Sequence, residues 1–149
     1  MPAPRRLIVF DALLLRALII NDRLIFPNEL SAFRLAFRGR RFQILITDGI
    51  IREYQAESNR PPQFLPLPTL ANLSQSGRVV RRDESELNRF SITLAGLPKE
   101  HRPFVWDAIA AGAEYLITDR QRWLNIFPNV ETAYNLRIVT PGTFVELER

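Results

Sequence analysis

The chain is expected to fold as one α/β domain over residues 1–149, a three-layer α/β/α sandwich around a central, mostly parallel sheet. Three observations lead there. Short apolar runs alternate with stretches of helical periodicity, the pattern of strands joined by crossover helices. The first run, Leu7-Ile8-Val9-Phe10, holds no polar residue, as befits a strand covered on both faces. A length of 149 residues with 46% hydrophobic and 24% charged residues suits a single packed core and excludes a disordered chain.

Each element has its own local reason. Leu7–Phe10 is the first strand, and Leu13–Ile20 is expected to be helical as far as the Asn21-Asp22 turn. Pro27-Asn28-Glu29 opens a second helix with Leu30, Phe33 and Phe37 at helical spacing and Gly39 at its end. Phe42–Ile46 is the second strand. Thr47 and Asp48 are capping residue types, and Ile50, Ile51 and Tyr54 make the helix after them amphipathic. Pro61, Pro62, Pro66 and Pro68 impose an extended connection, which Phe64, Leu65 and Leu67 mark as a packed loop. Val79-Val80 reads as a third strand. Asp83 with Glu86 forms a capping-box pattern for a helix to about Ala95. Pro103 begins another helix over Phe104–Ala113, with Gly112 near its end. Tyr115-Leu116-Ile117 and Arg137-Ile138-Val139 are the remaining strands, and a short helix follows Pro141-Gly142.

Composition narrows the chemistry. Without cysteine there is no disulfide framework, thiolate zinc site or cysteine nucleophile. The apolar runs Leu7–Phe10 and Leu13–Leu15 fall far short of the roughly 20 residues of a membrane span. The N-terminal residues make a poor signal peptide, so a soluble, cytoplasmic protein with no membrane partner is expected. The net charge is +4, and Lys99 is the one lysine among 20 cations, the others being arginine. Guanidinium groups suit phosphate better than ammonium groups do, which brings a nucleic-acid partner into view beside a merely solvated basic surface.

Acids recur where an open parallel sheet gathers its ligands, beyond the carboxyl ends of the strands. Asp11 follows the first strand, Asp48 follows the second with Glu53 on the helix beyond, and Asp119 follows Tyr115-Leu116-Ile117-Thr118. Converging carboxylates repel one another unless a cation neutralises them, and oxygen ligands without thiolate suit Mg²⁺ or Mn²⁺. For each acid alone, a helix cap or solvated strand end is the plainer account. Asp107 stands in Phe104-Val105-Trp106-Asp107-Ala108-Ile109-Ala110-Ala111, apolar on every other face. A carboxylate there needs either an arginine partner or a functional reason.

These residues resemble a PIN domain. The similarity lies in Val9-Phe10-Asp11, in Ile46-Thr47 followed by Glu53, and most specifically in Ala110-Ala111-Gly112-Ala113-Glu114-Tyr115-Leu116-Ile117-Thr118-Asp119. The ending Ile138-Val139-Thr140-Pro141 through Phe144-Val145 is similar as well. The resemblance implies a metal-dependent ribonuclease, often the toxin of a toxin–antitoxin pair, with Mg²⁺ or Mn²⁺ held by Asp11, Glu53 and Asp119 and with Asp107 assisting. It implies RNA as substrate, with a cognate antitoxin and a homodimer among the partners to look for. Arg38, Arg40, Arg41, Arg81 and Arg82 are the cations expected to hold an RNA backbone.

The chain departs from the family pattern at several points. Ala12 and Leu13 stand where the family carries hydroxyl or amide residues, and neither can orient a ligand by hydrogen bonding. Counted back from Thr118, the family's third acid falls on Arg102, and Asp107 lies more than a turn further along. The fourth acid, two residues past the threonine, falls on Arg120, with Asp119 one residue early. Arg102 is therefore a candidate to replace the metal by neutralising Asp11 and Glu53. That would give a catalytically degenerate PIN-like domain, an RNA- or protein-binding or regulatory module. His101, beside Arg102, reads as a capping or surface residue rather than a ligand. A phosphatase of the haloacid dehalogenase type would need an aspartate where Leu13 stands, and no phosphate-binding glycine loop is present.

Overall fold

The computed structural model describes residues 6–11, 14, 24, 27–37, 41–58, 77, 79–83 and 102–149. In chain order these form β1 (Arg6–Phe10), α1 (Pro27–Phe37), β2 (Phe42–Ile46), α2 (Asp48–Ser58), β3 (Val79–Arg81) and α3 (Arg102–Ala110). There follow β4 (Tyr115–Ile117), α4 (Gln121–Leu124), α5 (Phe127–Tyr134), β5 (Arg137–Val139) and α6 (Pro141–Glu148). The expected helices over Leu13–Ile20 and from Asp83 to Ala95 fall largely outside the described residues, as does the proline-rich connection.

The strands pair in the order β3-β2-β1-β4-β5, every pair parallel. The expected α/β sandwich with a parallel sheet is thus present. The chain builds outward from β1 through β2 to β3, then returns to add β4 on the other side of β1. That change of direction in the strand order falls between β1 and β4, and in open sheets of this kind the region beyond the carboxyl ends of such strands is where ligands are accommodated. Ile8, Val9 and Phe10 are all fully buried, so both faces of β1 are covered. Helix α1 packs on α6, and α2 packs on α3. Aromatic rings fill these layers: Phe33 of α1 lies 4.4 Å from Phe10, and Phe144 of α6 lies edge-on to Phe42 and Tyr115.

Two details differ from the sequence expectation. Helix α3 stops at Ala110, because Gly112 takes a left-handed φ of +78°. Ala113 N–H then donates to Ala108 C=O at 2.9 Å and Gly112 N–H to Ile109 C=O at 3.1 Å, the paired bonds of a Schellman ending. Helices α4 and α5 between β4 and β5 have no counterpart in the sequence expectation. They are short, four and eight residues, and Pro128 stands in the first turn of α5, where proline is compatible with a helix start.

Candidate functional site

Asp11 is placed by the sheet itself. Its N–H extends the β1–β4 ladder by donating to Ile117 C=O at 2.9 Å, and Thr118 Oγ1 donates to Asp11 Oδ2 at 2.7 Å. The carboxylate is 1% exposed at the β1–β4 reversal. Glu53 arrives from α2, 8% exposed. Next to it, Tyr54 is fully buried and donates its hydroxyl to Phe10 C=O at 2.6 Å, which anchors α2 over the end of β1. Burial pushes the Tyr54 phenol well above its ordinary value, and the charges of Asp11 and Glu53 push it the same way. It is a hydrogen-bond donor at every ordinary pH.

Asp107, at 0% exposure, reaches the same edge from α3. Thr47, at the end of β2, donates to Asp107 Oδ2 at 2.5 Å, within the range of a charge-assisted bond, and accepts from Ile50 N–H at 3.1 Å. One hydroxyl therefore both caps α2 and holds the buried acid. Asp107 is neither displaced nor solvated by its place in an apolar helix.

The cation that meets Asp11 and Glu53 is Arg120. Its Nε lies 2.8 Å from Asp11 Oδ2, and its Nη1 lies 3.4 Å from Glu53 Oε1. Its guanidinium carbon sits 4.9 Å from the centroid of the buried Trp123 ring. The Arg102 backbone opens α3, but its side chain lies outside the described residues; the guanidinium found between the two acids belongs to Arg120. Sequence reasoning marks Arg120 only as a missing acid. The available signal is its spacing, two residues past Thr118 and three before Trp123.

The other candidates scatter. Asp119 is exposed beside Thr118. Asp48 pairs with Arg81 at 2.9 Å on the surface, and Arg82 is exposed just past β3, at the same sheet edge as the acids. Arg41 precedes β2, at the opposite edge, where its Nη2 contacts Glu148 Oε1 at 2.7 Å. Arg38, Arg40 and His101 lie outside the described residues. Among the described residues, no three His, Cys, Asp or Glu side chains close on one point as a metal cage. No helix among them is long and apolar enough to cross a membrane.

That opposite edge carries a second polar cluster. Glu148 accepts from Arg6, Arg41 and the Tyr115 hydroxyl, while Arg6 also binds Glu114. A cavity of about 320 Å³ lined by Arg6, Glu114, Tyr115, Arg137 and Glu148 lies against it. The cations and anions here answer one another, and their effect is to fasten the end of α6 to the start of β1.

Comparison with protein-family models, with curated proteins and with solved structures finds no match to this chain.

Proposed function

We propose that this chain is a PIN-like domain acting as a metal-dependent endoribonuclease, hydrolysing RNA phosphodiester bonds at the Asp11–Glu53 pair. One observation carries the reading. Three buried carboxylates, Asp11 just past β1, Glu53 on α2 and Asp107 on α3, lie at the carboxyl edge of the sheet, where the strand order reverses. Burying that much like charge gains little stability over apolar packing, so a functional site is its more economical explanation.

The donor set fits Mg²⁺ or Mn²⁺. It consists of hard carboxylate oxygens, two of which already share one cation. Mg²⁺ commonly takes one or two carboxylates and completes its shell with water. A divalent ion bound there would activate water for attack and offset charge on the phosphate. Asp11 and Glu53 are the residues to hold it. Thr118 fixes the orientation of Asp11, and Thr47 fixes that of Asp107, which adds negative charge at the same edge. Asp119, exposed and next to Thr118 in the chain, is a candidate further ligand.

A second reading is the catalytically degenerate module, favoured by Arg120 standing between Asp11 and Glu53. Isothermal titration with Mn²⁺ and cleavage of a labelled single-stranded RNA separate the two. The nuclease reading requires Mn²⁺ binding that Asp11→Asn abolishes and RNA cleavage that Glu53→Gln abolishes. RNA retention by a wild-type chain that neither binds Mn²⁺ nor cleaves establishes the degenerate module instead.

A further inference from the structure

Arg120 is built into the site by its backbone as well as its charge. Its N–H donates to Thr118 Oγ1 at 3.0 Å, the same hydroxyl that donates to Asp11. The residue has an extended backbone (φ −74°, ψ 114°) immediately before α4, so its side chain is not committed to a helix face. The guanidinium is bounded by Asp11, Glu53 and the Trp123 ring, yet the side chain keeps 16% exposure. It is therefore held by charge at one end while retaining a path to solvent.

A guanidinium and a divalent ion cannot share this place. Two cations a few ångströms apart in a poorly solvated pocket repel strongly, and each is attracted by the same two carboxylates. Binding of one must weaken binding of the other, by the same factor in both directions.

We propose that Arg120 is an exchangeable counter-ion: it neutralises Asp11 and Glu53 when no divalent ion is bound, and a divalent ion enters only by displacing it. This rests on the metal-site reading above and adds to it a residue that sets metal affinity from within the chain. Arg120 makes the apo site stable at the cost of weakened metal binding, and it turns metal loading into a switch of the guanidinium position.

The test uses the full chain, with Mn²⁺ as the calorimetric probe and diamagnetic Mg²⁺ for NMR. Titration calorimetry on the wild type, Arg120→Gln and Arg120→Lys is expected to show Arg120→Gln binding at least about 10-fold more tightly than wild type. Arg120→Lys, which keeps the charge, is expected to stay near wild type. The double variant Arg120→Gln with Asp11→Asn is expected to lose the gain. Equal affinity in wild type and Arg120→Gln overturns the counter-ion role while leaving the metal site standing. A gain that survives Asp11→Asn also overturns it, since the ion is then elsewhere. Absence of Mn²⁺ binding in every variant overturns both the role and the metal-site reading. Should Arg120→Gln fail to fold, the wild type answers alone: added Mg²⁺ must shift the Arg120 Nε–H resonance in a ¹⁵N-resolved NMR spectrum to that of a solvated guanidinium. An unmoved resonance under saturating Mg²⁺ overturns the proposal.

Discussion

Thr47 shows how one side chain serves two levels of structure. Its hydroxyl ends a strand, caps the helix that follows and holds Asp107 by a 2.5 Å bond. Thr47→Val keeps the shape and removes the hydroxyl. It leaves a buried carboxylate one donor short and α2 without its side-chain cap, which together are expected to cost about 2–4 kcal/mol in urea unfolding. A loss below about 0.5 kcal/mol, the range of ordinary surface changes, would mean that Asp107 is held by other groups. Gly112 is the opposite case, a residue chosen for what it lacks. A Cβ there would meet nothing within 4 Å, so Gly112→Ala tests backbone strain at φ +78° without a clash. The expected loss is about 1–2 kcal/mol, measured by the same urea unfolding.

Among the elements, α6 depends on a charge contact at its last turn. Burial pushes the Glu148 carboxyl up, but hydrogen bonds from Arg6 and Tyr115 and the charges of Arg6 and Arg41 outweigh it, leaving it below its ordinary value of 4.5. A carboxyl that is more acidic in the folded state stabilises that state fully above its unfolded value, and the contribution disappears as pH falls through the folded value. Glu148→Gln is accordingly expected to be less stable than wild type at neutral pH, by about 1–3 kcal/mol given that both arginines are partly solvated. The gap should narrow as pH drops below 4.5. Parallel chemical-denaturation curves for the two proteins check this, and a gap independent of pH would assign the loss to packing. The elements themselves are readable to different degrees. The β2, β4 and β5 limits follow from their apolar runs, and α3 can be placed but not ended, since its stop lies in backbone bonds around Gly112. Helix α4 has four residues, too few to show periodicity, and α5 offers Pro128 in its first turn as its local signal.

Across the whole molecule, the two ends of the sheet have different characters. The carboxyl end collects Asp11, Glu53, Asp107 and Arg120, with Arg81 at the end of β3 and Arg82 just past it, whereas the amino end holds Arg6, Arg41 and Glu148 in mutual pairs. Of these two sets, the first lies at the edge of the Asp11–Glu53 pair, which makes Arg81 and Arg82 the described cations to test under the proposed RNA-cleaving reading. Arg81→Ala with Arg82→Ala is expected to weaken single-stranded RNA binding and to flatten its salt dependence by about 0.7 in log–log slope for each phosphate no longer neutralised. Arg41→Ala should leave both unchanged. Fluorescence anisotropy over a salt series distinguishes them, and an effect of Arg41 equal to that of Arg81 and Arg82 would remove the acidic edge as the RNA face.

By itself, the sequence determined the α/β class, the buried central strand and the presence of acids at strand ends, because apolar periodicity is a local property that survives in one dimension. It also picked out Asp11, Glu53 and Asp107 one by one. What it left undecided was the partner of each. Residue spacing points to Arg102 as the counter-ion and marks Arg120 only as a missing acid, whereas the folded chain brings Arg120 to Asp11 and Glu53. Charge pairing between residues about a hundred positions apart depends on strand order and on where one side chain can reach, and neither is written in the spacing of residues along the chain.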